Sequence, residues 1–436
     1  MEIFGIINVV ICSAFSILLA YKVLLVILGL FKTRKFKDAK EEHTFAVLIA
    51  GRNESAVIAN LIASIKAQNY DQQKIKIFMV ADNCTDDTFE VASNAGMAEG
   101  AETFVFKRFN KEKVGKGYAL DFLLDQIHAT LPDYNPDAFL VFDADNLLDK
   151  NYVYEINKVL DEGYKICTSY RNGKNFGENY ISANMSMCFL RECRFLHAPR
   201  SVINSSTFIS GTGFMVASDV LTFEGGWKYT TLTEDIEFSA SNILNDNVIT
   251  YCDKAMFYDE QPTDMKASYN QRMRWQKGFY QTFAIYGKSL FKGIGSSKGF
   301  AKYEMFLMLL PITPIMFTWS VLFFFINNGF YLFADFHIFC VNLSSFIINL
   351  FLVCVGVMLY GALILIRERK RIKLSLWQKI KYSFTFPFFL LTYIPIAYEC
   401  LFKKVYWKHI PHTSTVSIEQ IAANSSVEQV SVNVVD

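Results

Sequence analysis

The chain lacks the marks of a metal-thiolate or disulfide framework. Its nine cysteines form no CxxC pair and no Cys/His ligand spacing, and the nearest approach to a pair, Cys188 and Cys193 in MCFLREC, fits no zinc pattern. Scattered thiols in odd number are expected to be free, packed like small apolar groups and facing a reducing compartment. An excess of one charge sign is also missing. With 43 basic residues against 42 acidic ones, no global field would gather nucleic acid. The phosphate loop GxxxxGK[ST] is absent. So is a secretory leader, because the apolar N-terminal run carries its basic cluster after it, as KTRKFK at 32–37.

What the chain does have is apolar surface. Hydrophobic residues make up 52% and aromatics 16%, gathered in residues 1–31 and again after about residue 303. Residues 3–31 hold one charge, Lys22, and exceed the length that a membrane span needs. The basic cluster that follows predicts an outside N-terminus and entry into the cytoplasm at Lys32. Residues 305–328 and 336–366 read as spans out and back, the second closed by RERKRIK at 367–373. The run 383–402 contains Pro387 and Pro395, and a full crossing would put Lys403, Lys404 and Lys408 outside, so a Pro-broken or interfacial segment with a cytosolic tail is expected. The expected organisation is a transmembrane helix at 1–31, a cytosolic domain at 44–267, interfacial amphipathic helices at 268–302, a membrane region at 303–402 and a tail at 403–436. That describes a multi-pass protein of the cell membrane with a cytoplasmic catalytic domain.

Between the apolar ends, FAVLIA, KIFMVA, ETFVFK and AFLVFD alternate with helical patterns, which predicts an α/β domain with a doubly wound, parallel sheet. Such sheets bind ligands beyond the C-terminal ends of their strands, where Asp82, Asp143 and Asp145 fall. In extended chain, Asp143 and Asp145 share a face and suit a hard cation, Mg2+ or Mn2+, unless they are only an Asp-rich turn. Lys116 lies between two glycines at a helix start, a setting for phosphate. In TLTED, Thr231 and Glu234 have capping-box spacing, which leaves Asp235 spare. Gln271, Arg274 and Trp275 stand at i, i+3 and i+4, so one helix face carries an amide, a diphosphate-gripping guanidinium and an indole able to stack on a sugar. A membrane-surface helix would use the same Arg and Trp at the headgroups.

The series GRNES, VADNCTDDT, FDADN, TLTED and QRMRW, in this order, resembles the membrane-embedded processive branch of the family 2 glycosyltransferases, which includes cellulose, hyaluronan and poly-N-acetylglucosamine synthases. The resemblance covers about residues 44–290. It implies a GT-A-type nucleotide-sugar-binding fold and inverting transfer from UDP-N-acetylglucosamine or UDP-glucose to a growing β-linked polysaccharide, exported across the membrane with possible accessory subunits. It assigns Glu54 and Asp82 to the nucleoside, Lys116 to a G-K-x-x-A-L phosphate stretch, Asp143 to the nucleotide and metal, Asp145 to the metal, Asp235 to the general base, and Gln271, Arg274 and Trp275 to donor and sugar. Trp407, His412 and Thr413 match a tail stretch that folds over the nucleotide in relatives. Where many relatives read D-D-G-S, this chain reads D-N-C-T, with Cys84 in place of glycine. Two other readings compete: a non-processive enzyme making a glycolipid, and a transport protein with a nucleotide-sensing domain. The near absence of ionisable residues in the spans, with Lys22 and Glu304 near their edges, counts against transport.

Overall fold

A computed structural model describes residues 2–407 and 410–421. One mixed sheet organises the region between the apolar ends. Its strands are β1 (Phe45–Gly51), β2 (Ile75–Asp82), β3 (Glu102–Arg108), β4 (Ala138–Asp143), β5 (Leu147–Leu148), β6 (Ile166–Gly173), β7 (Phe214–Ala217) and β8 (Ile249–Asp259), in the order β3-β2-β1-β4-β7-β6-β8-β5. The β3-β2-β1-β4 half is parallel throughout, as the alternating pattern predicts. These strands are apolar on both faces because both faces are covered. Ala46 and Leu48 of β1 pack toward Leu120, Leu123 and Ile127 of the Lys116–Thr130 helix. Phe45, Val47 and Ile49 face Ile58, Leu61 and Ile65 of the Ile58–Lys66 helix.

The other half departs from a parallel, doubly wound plan. β7 runs antiparallel to both β4 and β6. The chain enters β7 from the loop after the Ala198–Val202 helix, through a glycine turn whose Gly213 amide bonds to Val141 O at 2.9 Å. Gly213 has φ +65°, and a Cβ there would stand 2.1 Å from the Phe257 ring, so only glycine makes this turn.

The apolar ends form helices: Glu2–Phe31, Phe336–Arg367, the pair Leu376–Leu391 and Tyr393–Phe402, and the pair Gly299–Leu309 and Ile312–Asn328. Among the described residues, three helices are long and apolar enough to cross a membrane, Ile6–Phe31, Phe336–Arg367 and Leu376–Phe402, or four if the bent pair Gly299–Leu309 and Ile312–Asn328 forms one span. The expected straight span at 305–328 is instead bent by 59° between Leu309 and Ile312, where Pro311 supplies no amide and Leu310 adopts extended backbone. Between domain and membrane helices lies Met265–Gly293, a 29-residue helix whose Arg272 is fully buried, stacked at 4.2 Å over Phe389 and 4.9 Å over Tyr393.

An ionic clamp holds the Phe336–Arg367 helix to the sheet. Glu368 accepts from Arg194 Nε at 2.5 Å and from Tyr170 OH at 2.8 Å. Arg371 pairs with Asp253 at 2.7 Å and lies over the Tyr170 ring. All of these except Arg371 are buried, so removing one partner strands a desolvated charge. Glu368→Ala is expected to lower stability by roughly 3–5 kcal/mol, measured as a lower thermal midpoint in detergent; an unchanged midpoint would show that the clamp contributes nothing.

Candidate active site

The sheet's carboxyl edge opens into a cavity of about 780 Å³. Glu54, Asp82, Lys116, Asp143, Asp145, Asp235, Gln271, Arg274 and Trp275 all line it, although they span more than two hundred positions of sequence. Each arrives by a simple route. Asp82 and Asp143 are the last residues of β2 and β4. Lys116 opens its helix after Gly115, which has φ +144°. Asp235 lies in the first turn of the Glu234–Leu244 helix, and Gln271, Arg274 and Trp275 share a face of Met265–Gly293.

Several contacts differ from the expectations. Lys116 Nζ bridges the Asp143 carboxylate and Gly211 O, at 2.5 and 2.8 Å, so it already has an anionic partner. Arg274 donates to Leu232 O at 2.8 Å and thereby shapes the TLTED turn. The Trp275 ring meets Phe189 edge-on, with centroids 5.9 Å apart, instead of lying free as a platform. Asp82 is buried against Arg108 at 2.5 Å. The expected capping box of Thr231 and Glu234 does not form: Thr233 is the N-cap and makes no side-chain cap bond. Glu237 instead reaches back to the amides of Thr230 and Thr231, at 3.0 and 2.9 Å. One turn farther into the helix it does the work assigned to Glu234, and both Glu234 and Asp235 are left facing the cavity.

The wall is crowded with acids. Asp145 is buried and accepts from the Glu260 amide at 2.8 Å. Burial first, then Asp259 and Asp143, push its carboxyl up to about 6 against the pull of His412 and Lys174. Burial and the neighbouring Asp235 push Glu234 up to about 7, opposed by Lys116 and Arg274. Asp235 is also raised by burial, while the Ile236 and Gly211 amides and the same two cations hold it back. The Gly211 amide donates to Asp235 Oδ2 at 2.6 Å and fixes the orientation of the carboxylate. Asp259 ends β8 and binds Arg171 through Oδ2, while its buried Oδ1 has no partner among the described residues.

Sequence reasoning passed over Asp259, Arg171 and Glu192. Asp259 carries the same signal as Asp143, an apolar strand stopping in an acid, here MFYDEQ. Arg171 and Glu192 sit within a strand and a helix run and have no such signal. Beyond Trp407, the described tail lies across the mouth. His412 Nδ1 meets both Glu54 carboxylate oxygens, at 3.0 and 2.9 Å. The Thr413 and Ser414 amides bind Glu260, and Arg52 lies 5.0 Å over the Trp407 ring. Burial disfavours charge on His412, but Asp145, Glu54 and Glu260 overcome it and raise the imidazole to about 10.

Comparison with known proteins follows this geometry. A family model described as "Glycosyltransferase like family 2" matches residues 43–278, more than half of the chain. A beta-monoglucosyldiacylglycerol synthase of Nostoc sp. is 24% identical over 282 residues, 62% of this chain and 56% of its own length. A probable glycosyltransferase of Bacillus subtilis, YdaM, is 24% identical over 56% of each chain. The chain thus spans a little over half the length of these curated relatives. Among solved structures, a mannosyltransferase of Pyrobaculum calidifontis, in complex with GDP-Man and Mn2+, superposes with a TM-score of 0.61 at 14% identity, covering 92% of this chain and 99% of its own; at that identity the likeness shows the fold.

The raised carboxyls make stability pH-dependent. Asp145 and Glu234 keep protons in the folded state at pH values where the unfolded chain has lost them, so their contribution is full below about pH 4 and is withdrawn as pH rises through about 6 and about 7. His412 acts in the same direction over a higher window, with its contribution lost as pH rises through about 10. The thermal midpoint of the ligand-free protein is expected to fall between pH 5 and pH 7.5, and Glu234→Gln to flatten that slope. An equally steep slope in the variant would refute the assignment of Glu234.

Proposed function

The chain belongs to glycosyltransferase family 2, and from that premise we propose that it transfers a hexosyl group from a UDP-sugar, with inversion, to a hydroxyl of a lipid acceptor drawn from the bilayer. The observation that carries this reading is the continuity of the cavity. Its sheet end is lined with carboxylates and bases, and its other end is built from Leu25, Val26, Met308, Ile312, Pro314 and Leu390 of the apolar helices. A volume of about 780 Å³ suits a donor and the head of one acceptor. The name beta-monoglucosyldiacylglycerol synthase, carried by relatives such as that of Nostoc, is that of a glycolipid-forming enzyme and points the same way.

In this reading Asp235 is the general base. Its carboxylate, oriented by the Gly211 amide, takes the proton of the acceptor hydroxyl as that oxygen attacks the anomeric carbon. The C–O bond to the leaving diphosphate breaks on the opposite face, so one displacement turns an α-linked donor into a β-linked product. Burial raises the carboxyl and makes it a better base than an exposed aspartate. Arg274 and Lys116 lie beside it to meet the diphosphate, Lys116 after exchanging its Asp143 contact. Asp82 with Arg108, and Glu54, are assigned to the nucleoside.

The residues fit a divalent cation. Asp143 and Asp145 offer hard oxygen ligands, and the buried Oδ1 of Asp259, whose other oxygen is held by Arg171, has no partner among the described residues. Among the described residues, no three imidazole, thiolate or carboxylate ligand atoms of the cavity lie within 4.8 Å of one another, so diphosphate oxygens are needed to complete the shell. Mg2+ or Mn2+ bound there would supply charge stabilisation for the departing nucleoside diphosphate.

The second reading, extension and export of a β-linked polysaccharide, rests on QRMRW. The edge-on packing of Trp275 on Phe189 weakens it, because that ring is engaged as a wall. The docking of residues 410–421 on the catalytic domain supports a tail on the same side as that domain, in agreement with the charge pattern.

The two readings differ in product. Purified protein in vesicles, given radiolabelled UDP-sugars and Mn2+, is expected to release label into an organic-extractable lipid of low mass. Label retained in high-mass, water-soluble material would replace this reading with polysaccharide synthesis. Asp235→Asn is expected to cut transfer roughly 10²–10⁴-fold while UDP binding persists; normal turnover would remove Asp235 as base. Asp145→Ala is expected to weaken metal-dependent UDP binding, and unchanged affinity would exclude it as a ligand.

A further inference from the structure

The cavity changes sign at its membrane end. Lys22, Arg191 and Arg200 join the wall there, beside Leu25, Val26 and Tyr360. Lys22 is the sole charge in the run 3–31. An ionisable residue within a span is costly unless it faces water or a ligand. Lys22, Leu25, Val26 and Gly29 stand at i, i+3, i+4 and i+7, on one face of the Glu2–Phe31 helix. That face packs on the turn after residue 191, where Tyr180–Arg191 widens into the π-helical segment Glu192–His197, a distortion common at functional sites. A Cβ on Gly29 would stand 2.3 Å from Arg194 O, so helix and turn touch backbone to backbone. Lys22 therefore lies about 10 Å farther along the helix, looking into the cavity.

The charges at this end do not balance. Arg200 is neutralised by Glu304, Nε to Oε2 at 2.9 Å. Lys22 makes no hydrogen bond or close ion pair among the described residues, and the acid that attracts it is Glu304, already bonded to Arg200. Among the described residues, Arg191 pairs with Glu192, at 3.8 Å, and its buried Nε has no hydrogen-bond partner. Glu192 is held by Ser210 at 3.0 Å and lies electrostatically between Arg191 and Asp235. Two acids, Glu304 and Glu192, thus face three cations, Lys22, Arg191 and Arg200, one step from the candidate base.

We propose that Lys22 and Arg191 form a subsite for an anionic group, a lipid phosphate, on the acceptor, with its chains against Leu25, Val26 and Tyr360. The proposal rests on the lipid-acceptor reading and sharpens it. A neutral diacylglycerol would leave the buried Arg191 Nε without an acceptor and the excess positive charge unmatched, whereas a phosphate would meet the Arg191 Nε and the Lys22 ammonium together.

The test is native mass spectrometry of the protein released from phosphatidylcholine nanodiscs doped with either dioleoyl phosphatidic acid or dioleoylglycerol. Phosphatidic acid is expected to be retained at about a tenth of the dioleoylglycerol concentration, and Lys22→Met and Arg191→Gln each to cost about 10-fold in that retention, the scale of one charge-assisted hydrogen bond. Lys22→Arg is expected to restore it, which separates charge from helix packing. Mn2+-dependent UDP binding in the same samples reports folding. Equal retention of the two lipids, or undiminished phosphatidic acid binding in folded Lys22→Met, overturns the proposal. Displacement of the lipid by UDP, or by inorganic phosphate at equal concentration, also overturns it, since these cations would then serve the donor or a free anion. Selective phosphatidic acid binding, together with no labelled lipid formed from hydroxyl-bearing lipids such as phosphatidylglycerol or dioleoylglycerol in the vesicle assay, would support the subsite and refute the lipid-acceptor function, so the two failures are distinct.

Discussion

Carboxylates that lose water without gaining a counter-charge raise the free energy of a folded protein, and this fold concentrates that cost at one edge of one sheet. β4 and β8 each end in an aspartate, a helix opens with Glu234 and Asp235, and Asp145 follows two residues after the end of β4. Local cations relieve part of the repulsion: Lys116 on Asp143, Arg108 on Asp82, Arg171 on Asp259, His412 on Glu54. The rest remains, as raised carboxyls on Asp145, Glu234 and Asp235. A site in this condition favours whatever brings positive charge, and a cation-bridged diphosphate brings it together with the substrate.

The membrane helices fix where that charge faces. Gly29 lets the N-terminal helix touch the turn after residue 191, the Glu368 clamp ties a second helix to β6, and Arg272 threads the long Met265–Gly293 helix between Phe389 and Tyr393. Buried ion pairs of this type add little net stability, but breaking them is costly, so they specify one arrangement over others. The arrangement they specify keeps the cavity open toward apolar helices.

Much of this was legible in the sequence, for a physical reason. A strand buried on both faces must be apolar, so an acid at its end stands out, and Asp82, Asp143 and Asp145 are visible on that ground alone. The helix face of Gln271, Arg274 and Trp275 follows from helical spacing. The antiparallel β7 was not legible, because its short apolar run FMVA carries no directional signal, and the need for glycine at 213 comes from Phe257, more than forty residues away. The TLTED turn misled for a related reason. Thr231 and Glu234 have the spacing of a capping box, yet Glu237 one turn on reaches the same amides, and spacing alone does not say which acid wins. The partners of Lys116 and Arg274 were hidden too, since each contacts backbone brought close only by the tertiary fold.

The polarity of the cavity then acts as an orienting device. A donor carrying a diphosphate is drawn to the acid-rich end once a cation accompanies it, and is repelled there without one. An amphiphile entering between the helices must keep its chains against Leu25, Val26 and Leu390 and can send only its head toward Asp235. Lys22 and Arg191 stand where that head leaves the apolar zone, so they discriminate among heads before the hydroxyl reaches the base. Because Glu192 couples Arg191 to Asp235 electrostatically, an anion arriving at Arg191 also changes the field at the carboxylate that is to take the proton. Under the proposed reading, recognition of the acceptor and readiness of the base are linked through one intervening glutamate.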